Sequence, residues 1–185
     1  MHIHITGASG TGATSLGKAL AAQMSLRHLD ADSYYWLPTS PPFKVKRAPA
    51  ERLALLTADM NLPPGTVLSG SVVGRGSEVE AGFDLVVFLY LPAELRASRL
   101  REREIARYGA ADPAFLEWAA QYDQGPPEGR SLKKHEAWLA GLLCPVLRLD
   151  LDQTVEERVR SVGQALLNSS PKQCANGDPR GPSNR

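Results

Sequence analysis

The feature of this sequence that most restricts its fold is a glycine-rich run that starts at Gly7. The preceding residues, 2–6, alternate between polar and apolar side chains, which predicts a strand. The run has the spacing G-x-x-x-x-G-x-[S/T]. Apolar residues at helical spacing follow from Leu16, so a helix is predicted to begin near Thr14. A strand, a glycine-rich loop and a helix in this order are typical of α/β proteins with a parallel sheet.

This loop predicts a phosphate-binding site. Glycine lets consecutive backbone N–H groups turn inward around an anion, and the N-terminus of the following helix adds a partial positive charge. The hydroxyl of Thr14 stands where such loops bind a magnesium ion. The alternative is a glycine-rich turn without a ligand. The residues predicted to bind the phosphates are Gly7, Ala8, Ser9, Gly10, Thr11, Gly12, Ala13, Thr14 and Ser15.

One position of the loop departs from the usual pattern. Ala13 occupies the place where phosphate loops of this spacing carry a lysine that contacts the β- and γ-phosphates. Backbone amides can still surround a phosphate, but the lysine charge is missing. Lys18 lies more than one helical turn further on and therefore points elsewhere. Any replacement cation must come from another part of the chain.

The rest of the chain alternates between predicted strands and helices. After the first strand and helix, strands are predicted at 27–30, 66–70, 84–91 and 146–149, and helices at 50–60, 93–108, 113–122, 129–141 and 155–167. The residues from Ser33 to Pro49 are predicted to form a long loop. This alternation predicts a five-stranded parallel sheet flanked by helices on both faces, with ligands at the carboxyl ends of its strands.

Length and composition limit the domain organisation and the partners. The chain has 185 residues, enough for one domain, which we place at 1–167. Residues 168–185 are rich in Ser, Pro, Gly and Asn and are predicted to be disordered. A net charge of +1 and the lack of a long apolar run predict a cytoplasmic monomer or homodimer that binds neither nucleic acid nor membrane. Cys144 and Cys174 are predicted to be plain thiols.

With these features, the chain resembles P-loop kinases of the adenylate kinase and shikimate kinase type over residues 1–167. Asp30-Ala31-Asp32 falls where shikimate and gluconate kinases carry an Asp-x-Asp pair. The longer stretch from Leu29 to Pro38 also resembles small bacterial ATPases that are often labelled adenylate kinase or topology-modulation proteins. The resemblance implies ATP and Mg²⁺ as cofactors. It implies that Thr14 and Asp30 bind the metal and that Asp30 and Asp32 act in catalysis. Considered as residues alone, the two aspartates could equally be turn or helix caps.

The resemblance does not identify the acceptor. Adenylate kinases have Asp-Gly after the third strand and shikimate kinases have a glycine triplet, but this chain has Ser69-Gly70-Ser71. Arg75 could meet a substrate anion or lie on the surface. Tyr34-Tyr35-Trp36 could line an acceptor pocket or anchor the long loop to the core. Lys133-Lys134-His135 is interpreted as the solvated face of a helix.

Arginines of the predicted helix at 93–108 are candidates for the missing charge. Arg96, Arg99, Arg103 and Arg107 share one face of that helix. On a lid spanning roughly 94–135 they could clamp a triphosphate, with Arg99 and Arg103 as the phosphate ligands and catalytic residues. The alternative is a solvated helix whose arginines pair with neighbouring glutamates.

Three functions are compatible with the sequence. The first is a phosphotransferase that moves the γ-phosphoryl group of ATP to a small-molecule or nucleotide acceptor. The second is a nucleotide-binding protein that senses ATP, with weak hydrolysis or none. The third is an NAD(P)-binding Rossmann protein, because Thr6-Gly7-x-x-Gly10-x-Gly12 followed by Asp30 resembles a dinucleotide fingerprint. The chain contains no Tyr-x-x-x-Lys pair, which counts against the third.

Overall fold

A computed structural model describes residues 1–74, 76–125 and 129–168. Arg75, Cys174 and residues 169–185 of the predicted tail lie outside this range. None of the helices in the described ranges is long and apolar enough to cross a bilayer. Cys144 is buried and forms no disulfide within the described residues, as predicted for a plain thiol.

Five parallel strands form one sheet in the order β2-β3-β1-β4-β5. The strands are β1 (His2–Gly7), β2 (Arg27–Asp30), β3 (Thr66–Ser69), β4 (Leu85–Leu89) and β5 (Val146–Leu149). Each is close to its predicted position, so the prediction of a five-stranded parallel sheet is confirmed.

The described residues form eight helices. They are α1 (Ala13–Met24), α2 (Ala31–Tyr35), α3 (Pro49–Met60), α4 (Ser77–Ala81), α5 (Ala93–Tyr108), α6 (Pro113–Ala120), α7 (Leu132–Ala140) and α8 (Val155–Asn168). The sequence did not predict α2 and α4, because five residues are too few to show helical periodicity. The first three residues of the predicted loop, 33–35, therefore belong to α2.

The core consists of two apolar layers on opposite faces of the sheet. On β4, Leu85, Val87 and Leu89 pack with α1 and α8. Val86 and Phe88 point to the other face and pack with α3, α4 and α7. Successive side chains of a strand alternate between faces, so a strand covered on both sides must be apolar throughout. This is why β4 is the most continuous apolar run in the sequence.

The strand order bears on the dinucleotide alternative. β3 lies between β1 and β2, and Ser69 pairs with both Ile5 and Asp30. In the dinucleotide-binding sheet, β2 is the direct neighbour of β1. The sheet therefore lacks the strand order that the hypothesis of an NAD(P)-binding Rossmann protein requires.

Candidate functional site

The glycine-rich loop connects the carboxyl end of β1 to the N-terminus of α1. Its turn depends on Gly10 and Gly12, whose φ angles of 87° and 91° are strained for other residues. The hydroxyl and the amide of Thr11 both donate to the carbonyl of Ala8, at 2.9 and 3.3 Å. The loop closes on itself and leads directly into the helix.

Most backbone amides of this loop have no hydrogen-bond partner among the described residues. Across the described ranges, no residue accepts a hydrogen bond from the amides of Ser9, Gly10, Gly12, Ala13, Thr14 or Ser15. Backbone donors are normally satisfied, so a cluster of unbonded amides at a helix N-terminus suits an anion. The loop has the geometry of a phosphate-binding site.

Thr14 and Asp30, the predicted metal ligands, lie beside each other at the mouth of the loop. The Thr14 hydroxyl donates to Oδ2 of Asp30 at 3.4 Å. The other carboxylate oxygen of Asp30 accepts the amide of Asp32 at 3.0 Å and caps α2. The capping and metal interpretations are thus compatible, because each uses a different oxygen.

These oxygens fit a magnesium ion. Mg²⁺ prefers hard oxygen ligands and is usually held by one or two carboxylates together with substrate phosphates. The described residues contain no group of three or more His, Cys, Asp or Glu side chains that could bind a metal without such phosphates. Thr14 and Asp30 therefore suit a metal that arrives with a nucleotide. Asp32 is exposed in the first turn of α2, on the same rim.

The segment between α6 and α7 brings an arginine to the loop that the sequence analysis missed. The Arg130 guanidinium donates to the Ser9 hydroxyl at 3.1 Å and lies 5.7 Å from the centre of the Trp118 ring. Ser9, Trp118, Tyr122 and Arg130 line a small cavity beside the loop. A single arginine in a polar loop has no periodic signal. The sequence offers one local signal for Arg130: it directly precedes Ser131, which caps α7.

A second missed arginine lies behind the loop. Arg158 of α8 is only 3% exposed, and its Nη1 donates to the carbonyl of Thr11 at 2.6 Å. Burial lowers the pKa of this guanidinium, and the positive charge of Arg99 lowers it further. In the sequence Arg158 resembles any charged residue of an amphipathic helix, so nothing marked it as buried.

The four arginines of α5 do not form one phosphate clamp. Arg96 is 1% exposed and pairs with Asp123 at 3.0 Å, so its predicted place in the clamp is wrong. The Asp123 carboxylate, in the segment after α6, and the carbonyl of Leu91 hold it inside the protein. Arg107 is exposed at the far end of α5.

Arg99 and Arg103 are partly exposed. Arg99 pairs with Asp152 at 2.5 Å, in the segment after β5. Arg103 pairs with Glu104 at 3.1 Å, and its guanidinium lies 5.8 Å from the centre of the Phe115 ring. Their predicted contact with phosphates stays a prediction.

A buried polar contact attaches α7 to the segment after α6. The hydroxyl of Tyr122 and Nδ1 of His135 are 2.6 Å apart, and His135 is 1% exposed. The prediction that His135 lies on a solvated face is wrong, because its ring packs against Phe88 and Tyr122. Its neighbours Lys133 and Lys134 are exposed as predicted.

The buried imidazole predicts a loss of stability in mild acid. Burial, assisted by the charge of Arg130 and opposed by Glu136, lowers the pKa of His135 from 6.5 to about 4. The unfolded chain takes up a proton as the pH falls through 6.5, whereas folded His135 stays neutral until about pH 4. Between about pH 6.5 and pH 5 the free energy of unfolding should fall by roughly 2 kcal/mol from this group.

Urea titrations at a series of pH values measure this slope. His135→Gln cannot titrate, so its stability should change less over the same interval than that of the unmodified chain. Equal slopes for the two proteins would contradict the assignment.

The aromatic residues after β2 hold the loop rather than line a single pocket. The hydroxyl of buried Tyr34 donates to Asp59 of α3 at 2.6 Å, which confirms the anchoring interpretation for this residue. Tyr35 is covered by the Arg52 guanidinium, 3.9 Å from the ring centre.

A polar contact joins β2 and β3 near this end of the sheet. The Ser69 hydroxyl of β3 lies 2.9 Å from Nε2 of His28 in β2.

Comparisons with known proteins agree with this fold. No protein-family model matches the chain. A shikimate kinase from Acinetobacter baumannii in complex with shikimate has a TM-score of 0.59 and 16% identity, with 92% of this chain and 95% of that chain covered. A putative kinase from Chloroflexus aurantiacus has a TM-score of 0.56 and 21% identity, with 90% and 96% covered. A gluconokinase from Sinorhizobium meliloti has a TM-score of 0.54 and 21% identity, with 90% and 92% covered. These similarities show the P-loop kinase fold.

A closer relationship is seen in sequence. A Bacillus subtilis protein, described as uncharacterized protein YqaC, is 44% identical over 171 residues. The aligned region covers 87% of this chain and 94% of YqaC. Identity at this level over nearly the whole length of both proteins shows common descent, and the chain therefore belongs to the family of YqaC.

Proposed function

We propose that this protein binds ATP with Mg²⁺ and transfers the γ-phosphoryl group to a small acceptor that bears a hydroxyl or phosphate group. The observation that carries the proposal is the 3.4 Å contact between Thr14 and Asp30 beside the unbonded amides of the loop. The names of the similar solved proteins, shikimate kinase and gluconokinase, are those of small-molecule kinases and support it.

In this proposal the loop and the N-terminus of α1 bind the phosphates through backbone N–H groups. The Thr14 hydroxyl and the Asp30 carboxylate would hold Mg²⁺, which neutralises phosphate charge when bound. Asp32, exposed on the same rim, orients the acceptor hydroxyl and accepts its proton. Phosphoryl transfer needs positioning and charge stabilisation more than covalent chemistry from the protein, so these groups supply what the reaction needs apart from a cation for the transferring phosphoryl group.

Arg130 is the residue best placed to stabilise charge on the transferring group. It already contacts Ser9 of the loop, and its segment lies between α6 and α7 on the same side as the loop. Arginine offers several N–H donors in a fixed plane, which matches phosphate oxygens. Arg99 and Arg103 can join the site only by leaving Asp152 and Glu104, their present partners.

Arg130→Gln is expected to lower turnover about 30-fold and to change the affinity for ATP less than threefold, because the charge acts mainly on the transition state. Steady-state kinetics and calorimetric titration measure the two effects. Arg101→Gln is the control, since Arg101 is an exposed arginine of α5. Similar rates for the two variants would remove Arg130 from the mechanism.

The acceptor would lie where β2 and β3 end. Asp30 pairs in register with Ser69 at this edge, and Ser69-Gly70-Ser71 follows directly. The carboxylate and hydroxyl groups there suit an acceptor with several hydroxyl groups better than a flat apolar ring.

A second function, nucleotide sensing without turnover, is favoured by one observation. Ala13 removes the cation that usually contacts the β- and γ-phosphates. A loop of amides can bind ATP without this charge, but transfer of the phosphoryl group would be slow. Both functions require nucleotide binding, and only the first requires an acceptor.

Calorimetric titration with ATP plus Mg²⁺, with ADP, GTP and NADH in parallel, tests the proposal, followed by an ADP-release assay over a panel of acceptors. ATP binding with acceptor-stimulated release supports the phosphotransferase. ATP binding with no release from any acceptor supports the sensor. Binding of NADH alone would overturn both.

A further inference from the structure

Arg158 contacts the phosphate loop from the side of α8, at the peptide between Thr11 and Gly12. This peptide comes just before Ala13, which replaces the usual lysine. Nη1 of Arg158 donates to the carbonyl of Thr11 at 2.6 Å, and the same nitrogen would lie 3.2 Å from a Cβ atom placed on Gly12. Nη2 contacts the carbonyl of Leu151 at 3.4 Å, so the guanidinium also joins the loop to the segment after β5. The Arg158 side chain therefore connects α8, the glycine-rich loop and the segment after β5.

The charge of Arg158 has no ion-pair partner among the described residues. The neighbouring Asp152 is already paired with Arg99. Its Nε is buried without a hydrogen-bond partner in the part of the chain that the structure describes. A buried charge is costly unless it is paired, so this guanidinium favours an anion nearby.

The contact with Thr11 also sets the direction of the next amide. The peptide between Thr11 and Gly12 is trans, and in a trans peptide the C=O and N–H bonds point in opposite directions. With the Thr11 carbonyl held toward Arg158, the Gly12 N–H points away from Arg158, and no described residue accepts a hydrogen bond from it. A charged donor on the carbonyl also polarises the peptide and makes its N–H a stronger donor.

We propose that Arg158 is the positioning residue of the phosphate loop: it directs the Gly12 N–H toward the bound phosphate and supplies from behind the positive charge that Ala13 does not. This inference rests on the proposed nucleotide binding. It does not depend on turnover, so it applies equally to a kinase and to a sensor.

Arg158→Met tests the inference, because methionine retains most of the length without the charge. Arg160→Met is the matched control, since Arg160 is an exposed arginine of the same helix. Calorimetric titration with ATP plus Mg²⁺ and with adenosine separates the phosphate contribution from that of the nucleoside. Arg158→Met should weaken ATP binding about 30-fold and adenosine binding less than threefold, and the control should change neither.

The double variant Ala13→Lys/Arg158→Met provides a rescue test. A lysine at the loop position restores a positive charge by another route, so ATP affinity should recover to within about fivefold of the unmodified chain. A larger gain in ATP affinity from this lysine in Arg158→Met than in the otherwise unmodified chain would show that the two charges serve the same function, whereas equal gains would show that Arg158 only packs.

Several results would overturn the inference. The inference is overturned if Arg158→Met folds and binds ATP as tightly as the unmodified protein. It is also overturned if Arg158→Met loses affinity for ATP and for adenosine by the same factor and Ala13→Lys does not restore ATP binding. If Arg158→Met does not fold, Arg158→Lys replaces it. That variant keeps the charge, so a preserved preference for ATP over adenosine supports the inference and a lost preference overturns it. Failure of the unmodified chain to bind ATP would instead refute the proposed function itself.

Discussion

Asp30→Asn is expected to lower Mg²⁺-dependent turnover by about two to three orders of magnitude while the protein stays folded. Oδ1 of Asp30 accepts the Asp32 amide at 3.0 Å, and Oδ2 accepts the Thr14 hydroxyl at 3.4 Å. Asparagine is as good a helix cap as aspartate, so the first contact survives and the free energy of unfolding should change by less than about 0.5 kcal/mol. The negative charge that would bind the metal is lost.

Asp112→Asn provides a matched control. Asp112 caps α6 in the same way, with its Oδ1 accepting the Ala114 amide at 2.9 Å, and it is exposed. Steady-state rates and the Mg²⁺ concentration at half-maximal rate should change for Asp30→Asn alone. An Asp30→Asn protein that turns over at the normal rate with the normal Mg²⁺ requirement would remove Asp30 from the metal site.

Gly7→Ala is expected to lower the free energy of unfolding by about 4 kcal/mol and to abolish nucleotide binding. A Cβ atom at this position would lie 2.3 Å from the carbonyl oxygen of Leu89 and 2.9 Å from the Thr11 hydroxyl. Leu89 belongs to β4, which pairs directly with β1, so the added methyl group would collide with the backbone of the neighbouring strand. Neither strand can move without breaking hydrogen bonds or displacing the loop.

Gly163→Ala separates this effect from the general effect of replacing a glycine. Gly163 lies inside α8, and a Cβ atom there would have no atom within 4 Å. Alanine should therefore stabilise the protein by about 0.5–1 kcal/mol through the lower entropy of the unfolded chain. Urea unfolding measures both variants. A Gly7→Ala protein as stable as the unmodified chain would show that the loop does not lie against β4 as described.

Much of the fold was predictable because local patterns agree with the tertiary structure. The alternation at β1 predicted a strand, and the apolar run at β4 predicted a central strand buried on both faces. The order of strands and helices predicted a parallel sheet flanked by helices on both faces. The two short helices were not predictable. Residues 31–35 form α2 because Asp30 caps them, and residues 77–81 form α4 around buried Val79.

The residues of the candidate site were likewise predicted only in part. Thr14 and Asp30 were predicted from their positions after the loop and after β2, and the structure brings them within 3.4 Å. Arg130 and Arg158 were not predicted, and Arg96 was assigned to the wrong environment. Helical spacing shows which residues share a face of a helix, but it does not show what that face packs against. Arg96 meets Asp123, a partner 27 residues away in the sequence.

The sequence by itself determined the glycine-rich loop, the parallel sheet and the position of the Thr14 and Asp30 oxygens at its rim. Each depends on contacts within a short segment or on a periodicity that a few residues display. Only the tertiary structure decided where the positive charges lie. Arg158 reaches the carbonyl of Thr11 across 147 residues and Arg130 reaches Ser9 across 121. An arginine has the same local pattern on a solvated helix and inside the protein, so its burial and its partner are set by the packing of distant elements against the loop.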